Sequence, residues 1–416
     1  MKLLWITNTL FPDICNELGI DVPVVGGWMY SSAKALLREN ENIQLGVATL
    51  YDGKTLKSMC LNEIHYFLVP NIGKNKAYEA GLELHWKSIQ SQFKPDIVHI
   101  HGSEYPRGLA YIRACGNKNV VLSIQGLVSV YEKHYYGGIS KLSLLKNTTI
   151  RDIVRRDSIF EQHCNMYNRG YWEKITIQSV EHIIGRTSWD KAHTWALNPA
   201  VQYHFCNETL RNEFYQQKWE LEKCEKHSIF LSQANYPIKG LQKMIEALPL
   251  IVRHFPDAKV YVAGNDFITN KGLRLNGFGK FIRSLIIKNK ISENVIFTGL
   301  LSEKEMCNRY VKSHVFVCPS SIENSSNSIG EAQLLGVPCV ASYVGGISDL
   351  IIHHKTGILY RFEEIEMLAD AVCKIFSDDT FANELSISEK EAALVRHDSR
   401  RNAHQLNSIY KEIIEL

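Results

Sequence analysis

The sequence predicts an α/β protein with two units, each a parallel β-sheet wrapped by helices. Short apolar runs alternate with amphipathic stretches of helical spacing in both halves of the chain, which is typical of βαβ units. The alternation is interrupted around residues 200–226, where charged residues accumulate, and it resumes at residue 228. A chain of 416 residues is also long enough for two domains of ordinary size.

The first half contains apolar runs expected of buried strands, with stretches of helical spacing between them. The predicted strands are residues 3–7, 45–50, 66–69, 97–100, 120–124 and 182–185, and the predicted helices are residues 78–93 and 105–115. Because the runs are short and separated by helical stretches, they predict strands of a sheet that is covered by helices.

The second half repeats this pattern. The predicted strands are residues 228–232, 259–263, 295–298, 315–318 and 338–342, and the predicted helices are residues 241–255, 279–290, 303–311, 380–395 and 399–415. We therefore divide the chain into an N-terminal domain, a second domain and a C-terminal helix, with the boundaries 1–205, 206–396 and 397–416.

The composition is that of a globular protein, with 45% hydrophobic and 22% charged residues. A net charge of +3 argues against nucleic acid as the main partner. None of the ten cysteines forms a Cys-x-x-Cys pair, which indicates a reducing compartment and gives no sign of a zinc site. The apolar N-terminal run is broken by Thr7, Asn8 and Thr9, so it predicts a buried strand and not a signal peptide. No stretch has the length of a membrane-spanning helix, and the predicted location is the cytoplasm.

Two acidic residues bracket a polar loop after the predicted strand 315–318. Glu323 lies in the loop, and Glu331 lies at the predicted start of the next helix. Small residues between them, such as Ser328 and Gly330, let backbone amides approach a ligand, and the first amides of a helix stabilise an anion. The two carboxylates would then bracket an anionic, hydroxyl-bearing ligand, and a nucleotide sugar fits that description. Glu331 alone is also compatible with an ordinary acidic residue in the first turn of a helix.

Two turns that contain glycine predict contacts with phosphate. Lys239 precedes Gly240 in the turn after the first strand of the second half, where its three donors suit a diphosphate. Gly26 and Gly27 precede the first predicted helix, where glycine lets the backbone come close to phosphate or sugar. A solvated lysine and a plain turn are the alternatives.

His99 and His101 end the predicted strand 97–100 and, being two residues apart, point to the same face. A metal site is a poor explanation because no third ligand is near in sequence. A buried structural histidine and a ligand contact both stay open for these two residues.

The block that runs from Val-Phe-Val-Cys-Pro through the glutamate pair to Gly345-Gly346 resembles the donor-binding segment of retaining GT-B glycosyltransferases of family 4. The resemblance is strongest over residues 228–360. It implies a GT-B fold, in which two Rossmann-like doubly wound domains face each other across a cleft. Residues 1–205 would form the acceptor-side domain and residues 206–396 the nucleotide-sugar-binding domain, with the C-terminal helix packing back on the first domain.

The resemblance also implies roles for individual residues. Glu323 and Lys239 are the expected catalytic residues, because Glu323 would hold the sugar hydroxyls and favour a cationic ring while Lys239 takes charge of the leaving diphosphate. The expected substrate-binding residues lie in turns or at strand ends: Gly26, Gly27, His101, Gln125, Arg186, Asn327, Ser328, Ile329 and Glu331. The amides at 327–329 would meet the diphosphate, and Glu331 would bind the ribose hydroxyls.

This chain departs from the family pattern at two positions. The arginine of the family's Arg-x4-Lys-Gly phosphate clamp falls on Ala234, so the second phosphate charge is missing or comes from elsewhere, for example from Arg186. Gln125 stands where family members commonly carry a histidine near the donor sugar. Its amide can form a hydrogen bond with a hydroxyl but cannot act as a base.

The implied activity is transfer of a hexosyl or N-acetylhexosaminyl group from a nucleoside diphosphate sugar to a carbohydrate or lipid-linked saccharide. This would serve the synthesis of a bacterial surface polysaccharide (O-antigen or capsule) or a lipid-linked oligosaccharide. The nucleotide sugar is the donor substrate, no tightly bound cofactor is expected, and the lack of an Asp-x-Asp motif predicts no tightly bound metal. A nucleotide-sugar 2-epimerase and a non-catalytic GT-B partner protein stay open as alternatives.

Residues 141–156 combine positive charge with apolar side chains. As a helix this segment could lie on an anionic membrane, which would place the protein at the cytoplasmic face of the inner membrane. A solvated helix that covers the core is the alternative.

Overall fold

The computed structural model describes residues 1–23, 26–71, 78–270 and 272–415, apart from the side chain of Leu273. It divides into two compact units. The first unit consists of Met1–Val130, Asn165–Arg211 and His397–Leu416, and the second consists of Tyr131–Cys164 and Asn212–Arg396.

The first unit contains a sheet of eight strands within the described residues: β1 Lys2–Thr7, β2 Gln44–Tyr51, β3 Lys57–Leu61, β4 Ile64–Pro70, β5 Ile97–His101, β6 Val120–Ser123, β7 His182–Gly185 and β8 Gln202–Phe205. The strand order is β3-β4-β2-β1-β5-β6-β7-β8. The strand β3 is antiparallel to β4, and the other neighbours are parallel.

The second unit contains a sheet of six strands within the described part of the chain: β9 Glu225–Leu231, β10 Lys259–Val262, β11 Val295–Phe297, β12 Ser313–Cys318, β13 Cys339–Ser342 and β14 Ile358–Tyr360. Its order is β11-β10-β9-β12-β13-β14, and all neighbours are parallel. In each sheet the chain first adds strands on one side of its first strand, β1 or β9, and then adds the later strands on the other side. Each unit is therefore doubly wound. Ligands of such sheets bind outside the carboxyl ends of the strands where the order reverses.

The α-helices that connect or cover these strands are α1 Pro12–Leu18, α2 Gly27–Glu39, α3 Leu82–Phe93, α4 Arg107–Cys115, α5 Val128–Tyr131, α6 Lys141–Asn147, α7 Ile150–Arg155, α8 Ile159–Gln178, α9 Ser188–Leu197, α10 Leu241–His254, α11 Gly277–Asn289, α12 Glu303–Lys312, α13 Asn327–Leu335, α14 Ile365–Ser377, α15 Asp379–Arg396 and α16 Ser399–Glu415. The predicted fold class, α/β with two Rossmann-like units, is confirmed.

The central strand β1 shows why these runs form buried strands. Leu3 and Trp5 belong to the apolar cluster on one face of the first sheet, and Leu4 and Ile6 belong to the cluster on the other face. Successive side chains of a strand point to opposite faces, so a strand covered on both faces is apolar throughout. The last helix, α16, packs in the same unit, where the Tyr410 hydroxyl accepts a hydrogen bond from Trp5 Nε1 at 3.1 Å.

The division into units differs from the predicted boundary after residue 205, because the segment Tyr131–Cys164 belongs to the second unit. Its helices α6 and α7 are held to α11. Lys280 Nζ donates to the Lys146 carbonyl at 3.2 Å, and the Gly277 amide donates to the Asp152 carboxylate at 2.8 Å. Such contacts join residues far apart in sequence, which a change of local composition does not reveal.

Two predicted helix starts were wrong by about one helical turn. The helix predicted at 78–93 begins at Leu82, after a turn in which the Leu82 amide donates to the Glu79 carbonyl. The helix predicted to begin at Glu331 begins at Asn327. The strands β3, β8 and β14 were missed. All three lie at the edges of their sheets. The strands β3 and β8 are largely exposed and β14 has only 3 residues, so none of them shows a long apolar run.

Candidate functional site

Lys239 and Glu323 lie on loops that follow two neighbouring central strands. The strands β9 and β12 pair in parallel, and the order of the second sheet reverses between them. Lys239 ends the short 3-10 turn Pro237–Lys239 after β9, and Glu323 lies in the loop after β12. Because the carboxyl ends of parallel strands meet at one edge, this topology brings the two loops together at the place where such folds bind ligands.

The two side chains form an ion pair. Lys239 Nζ lies 2.7 Å from Glu323 Oε1, and Ser320 Oγ donates to the same oxygen at 2.8 Å. The side chain of Glu323 is 9% exposed and that of Lys239 is 20% exposed. The carboxylate is therefore held from two sides, while the ammonium group keeps partial access to solvent.

Lys239 is a cation at neutral pH in spite of its burial. Burial lowers the pKa of a lysine because it disfavours the charged form. The negative charge of Glu323 and the nearby Tyr236 outweigh this burial, so the pKa of Lys239 is raised above its ordinary value. Burial, followed by the charge of Glu323, raises the pKa of the neighbouring Cys318 thiol to about 11, so this thiol is neutral.

Two glycines allow the loops to approach this closely. Gly240 has φ +75°, and a Cβ atom placed on it would lie 1.7 Å from the Pro319 carbonyl oxygen. Gly345 has φ +54°, and its Cβ would lie 1.9 Å from the Glu323 carbonyl oxygen. The backbone of Glu323 is fixed further by the amide of Gly346, which donates to the Glu323 carbonyl at 3.0 Å.

The helix α13 begins earlier than predicted, and this changes which backbone amides lie at its N-terminus. Asn327 and Ser328 are its first two residues, whereas the Ile329 amide donates to the Ser326 carbonyl at 3.1 Å. Glu331 lies in the middle of the helix and is 7% exposed. The side chains of Ser326 and Ser328 contact each other at 2.9 Å.

The segment Tyr131–Cys164 supports the Glu323 loop from within the second unit. The Asn324 amide donates to the Tyr131 hydroxyl at 2.8 Å, and Ser321 Oγ donates to the His134 carbonyl at 3.0 Å. Sequence reasoning missed Tyr131 and Ser320 as residues of this site. Ser320 could have been predicted as a site residue, because it lies two residues after the end of β12. Nothing in the sequence connects Tyr131 with a loop so far along the chain.

Residues 212–392 match the model of the family described as glycosyl transferases group 1. The matched range contains Lys239, Glu323 and Glu331. Residues 212–392 therefore form a region that matches this family, and we call this region the group 1 domain. The family suspected from the sequence is thereby confirmed at this level.

Known relatives of the group 1 domain agree with this. The chain is 22% identical over 202 residues to the putative glycosyltransferase YtcC of Bacillus subtilis, and the aligned region covers 48% of each chain. It spans about half the length of the curated relatives it matches. The solved sucrose-phosphate synthase of Thermosynechococcus elongatus superposes with a TM-score of 0.73 at 15% identity, over 100% of this chain and 99% of that one. Anabaena HepE, solved in complex with UDP and glucose, gives a TM-score of 0.66 at 15% identity, over 99% of both chains. This likeness confirms the GT-B fold.

Outside the group 1 domain, three predicted residues lie at the carboxyl edge of the first sheet. Gly26 directly precedes α2 with φ +84°, and Gly27 is the first residue of that helix. His101 is the last residue of β5, which neighbours β1 where the strand order reverses. Their roles as substrate contacts stay predictions.

The two histidines of β5 have different surroundings. His99 Nδ1 lies 2.6 Å from the Tyr410 hydroxyl, which fits a structural role. His101 is 4% exposed, and neither of its ring nitrogens has a hydrogen-bond partner within the described residues. It lines a cavity of about 40 Å³ together with Arg186 and Glu208. Burial, followed by the charge of Arg186, lowers the pKa of His101 to about 3, so its imidazole is neutral.

Arg186 is engaged within the first unit. Its guanidinium group forms an ion pair with Glu208 and donates to the carbonyls of Ile124 at 2.8 Å and Gln125 at 3.3 Å. Gln125 lies in the loop after β6, as expected for a residue at a strand end. Since Glu208 balances the charge of Arg186, a contact between Arg186 and phosphate stays a prediction that the structure does not strengthen.

The described residues contain no group of three or more histidine, cysteine, aspartate or glutamate side chains arranged to hold a metal ion. Among the helices in the described ranges, none combines the length and apolar character needed to cross a membrane.

Proposed function

We propose that this chain is a retaining glycosyltransferase, which transfers a hexosyl or N-acetylhexosaminyl group from a nucleoside diphosphate sugar to an acceptor hydroxyl. The observation that carries the proposal is the Lys239–Glu323 ion pair in the group 1 domain. Its two residues follow β9 and β12, the neighbouring strands between which the strand order reverses. In sugar transfer, positive charge develops on the sugar ring and negative charge on the departing diphosphate. A carboxylate and an ammonium group side by side suit that pair of charges.

The bond between C1 of the donor sugar and the diphosphate oxygen breaks, and its electron pair stays with the diphosphate. The acceptor oxygen forms a new bond to C1 on the same face of the ring. Its proton passes to the departing phosphate oxygen, so we assign no side-chain base.

Lys239 would stabilise the departing diphosphate. An ammonium group has three donors, and one of them meets Glu323 Oε1. Its charge-assisted hydrogen bonds to phosphate would each contribute about 1.5–3 kcal/mol. The first amides of α13, at Asn327 and Ser328, add the positive end of the helix dipole. The Ile329 amide contributes less, because it already donates to a loop carbonyl.

Glu323 would bind the sugar hydroxyls and stabilise the cationic ring. Lys239 and Ser320 both contact Oε1, which fixes the carboxylate and leaves Oε2 as the oxygen that we assign to the sugar. Glu331, buried in the middle of α13, is assigned to the ribose hydroxyls.

The acceptor in this proposal is a carbohydrate or a lipid-linked saccharide, and the product belongs to a bacterial surface polysaccharide or a lipid-linked oligosaccharide. The group 1 match supports glycosyl transfer as the reaction type. A nucleotide sugar as donor is supported by the fold shared with HepE, which was solved with UDP and glucose. We place the reaction in the cytoplasm, and the nucleotide sugar is a substrate and not a resident cofactor.

The proposal is tested by incubating the protein with a panel of UDP-, GDP- and ADP-sugars and measuring release of nucleoside diphosphate, with and without saccharide acceptors. Acceptor-dependent release and an α-linked product from an α-linked donor, assigned by NMR, are expected. Release of an isomerised nucleotide sugar would identify an epimerase instead. Binding of donors without any turnover would identify a non-catalytic protein. The Glu323→Gln variant should bind nucleoside diphosphate but lose transfer.

A further inference from the structure

Two short helices of the second unit, α6 and α7, expose aliphatic side chains to solvent. Leu142, Leu145, Ile150, Ile153 and Val154 each have between 61% and 76% of their surface exposed. In α6, Leu142 and Leu145 are three positions apart, and in α7, Ile153 and Val154 follow Ile150 by three and four positions, so the residues of each helix share one side. Such a face normally points to the core, and a contiguous exposed aliphatic patch marks an interaction site.

The opposite faces of these helices are buried, which keeps the aliphatic side chains in solvent. Leu144 is buried beneath α6, and Asp152 is buried beneath α7. The Asp152 carboxylate accepts from the amides of Thr149 at 3.0 Å and Gly277 at 2.8 Å. Because α7 is attached through a buried polar residue, it cannot turn its aliphatic side inwards without breaking these bonds.

Positive charge surrounds the aliphatic side chains. The two acidic residues of this segment do not offset it, since Asp152 is buried and Asp157 pairs with Arg151 at 2.9 Å. The basic residues on the solvent side of the two helices are Lys141, Lys146, Arg155 and Arg156. With the five aliphatic residues they form what we call the basic–aliphatic surface.

We propose that the basic–aliphatic surface docks on a bilayer that contains anionic lipids. Aliphatic side chains enter the boundary between headgroups and acyl chains, while lysine and arginine attract the anionic headgroups. A protein partner fits less well, because the centres of protein interfaces favour aromatic residues and are depleted in lysine. The proposal does not depend on the proposed transferase activity.

The surface is tested by sedimentation with vesicles of phosphatidylcholine alone or mixed with phosphatidylglycerol. The wild-type protein should partition onto the mixed vesicles, bind neutral vesicles weakly, and lose binding as salt is raised. A charge variant should bind the mixed vesicles roughly fivefold more weakly for each residue neutralised. This variant carries Lys141→Gln, Lys146→Gln, Arg155→Gln and Arg156→Gln. An aliphatic variant should lose binding by roughly tenfold or more. It carries Ile150→Gln, Ile153→Gln and Val154→Gln.

Matched controls remove the same number of aliphatic or positively charged side chains from other exposed positions. The aliphatic control carries Ile352→Gln, Ile387→Gln and Val395→Gln, which replace side chains 58–60% exposed. The charge control carries Lys118→Gln, Lys304→Gln, Lys355→Gln and Lys411→Gln, all at exposed positions. Both controls should bind like the wild type, and all variants should keep its melting temperature.

Three results would overturn the proposal. The first is a wild-type protein that stays in the supernatant with both vesicle types. The second is equal partitioning of the wild type and the two surface variants. The third is a wild-type assembly in solution that the aliphatic variant disperses without any change in vesicle binding, since a second copy of the chain would then cover this surface.

Discussion

The ion pair at the centre of the candidate site makes a strong prediction about stability. Lys239→Met keeps much of the side-chain volume but removes the charge, and it leaves Glu323 9% exposed with Ser320 as the hydrogen-bond donor described above. Removing one partner of a buried ion pair costs about 3–5 kcal/mol. Since the ammonium group of Lys239 is partly accessible, we expect the lower end, about 3 kcal/mol.

The second substitution, Glu323→Gln, should reverse most of this loss. A neutral amide has no buried charge to compensate, and its oxygen can still accept from Ser320. The double variant Lys239→Met/Glu323→Gln should therefore be about 2 kcal/mol more stable than Lys239→Met alone, because replacing both members of a buried pair is often nearly neutral.

Calorimetric melting of the four proteins in the cycle measures these differences. A change of 1 kcal/mol shifts the melting temperature by roughly 2–4 °C in a domain of this size, so Lys239→Met should melt roughly 6–12 °C lower than the wild type. The control is Lys243→Met, whose partner Glu246 lies 3.5 Å away and is 34% exposed, so that water can solvate the remaining carboxylate, and it should cost less than about 1 kcal/mol. If the double variant melts no higher than Lys239→Met, the charge of Glu323 is not what the lysine compensates, and the reasoning fails.

Three further substitutions test other parts of the structure by the same melting assay. Gly240→Ala should cost roughly 2 kcal/mol more than Gly299→Ala, which has a similar φ of +77° but no atom within 4 Å of its Cβ, and equal losses would show that the loops do not approach as described. Tyr131→Phe should cost about 1–2 kcal/mol, because it removes the acceptor of the Asn324 amide; an unchanged melting temperature would mean that this hydrogen bond is dispensable. Burial and, less strongly, nearby basic groups lower the pKa of His314 to about 4. As the pH falls below about 6.5, His314 is therefore protonated in the unfolded chain but not yet in the folded protein. The contribution of His314 to stability is therefore full above pH 6.5 and falls by about 1.4 kcal/mol per pH unit towards pH 4. His314→Gln should make the decline of stability with falling pH less steep by this amount, and an identical slope would contradict the assignment.

The fold class could be predicted because strands covered on both faces must be apolar throughout. The runs at β1, β9 and β12 are of this kind, and all three are central strands. Edge strands such as β3 are largely exposed and mix polar with apolar residues, so they do not show the continuous apolar run of a buried strand.

The candidate site was predicted in part for a similar reason. Turn residues directly after central strands are ligand candidates in any doubly wound sheet, which pointed to Lys239 and to Glu323. The sequence did not reveal that the two side chains touch, nor that Ser320 shares the same carboxylate oxygen. It also misplaced the start of α13, because the polar residues Asn327 and Ser328 are equally common in loops and in first turns of helices.

The sequence by itself determined the two α/β units, the family of the second one, and the two charged residues at the reversal of its sheet. These follow from local patterns, namely apolar runs, glycines in turns and motif residues at fixed spacing. Only the tertiary structure decided that Tyr131–Cys164 joins the second unit, that Tyr131 holds the Glu323 loop, and that α6 and α7 keep their aliphatic sides in solvent. Those features depend on contacts between segments far apart in the chain. Such contacts stabilise the fold without producing a periodic pattern in the sequence of either segment, so the sequence does not reveal them.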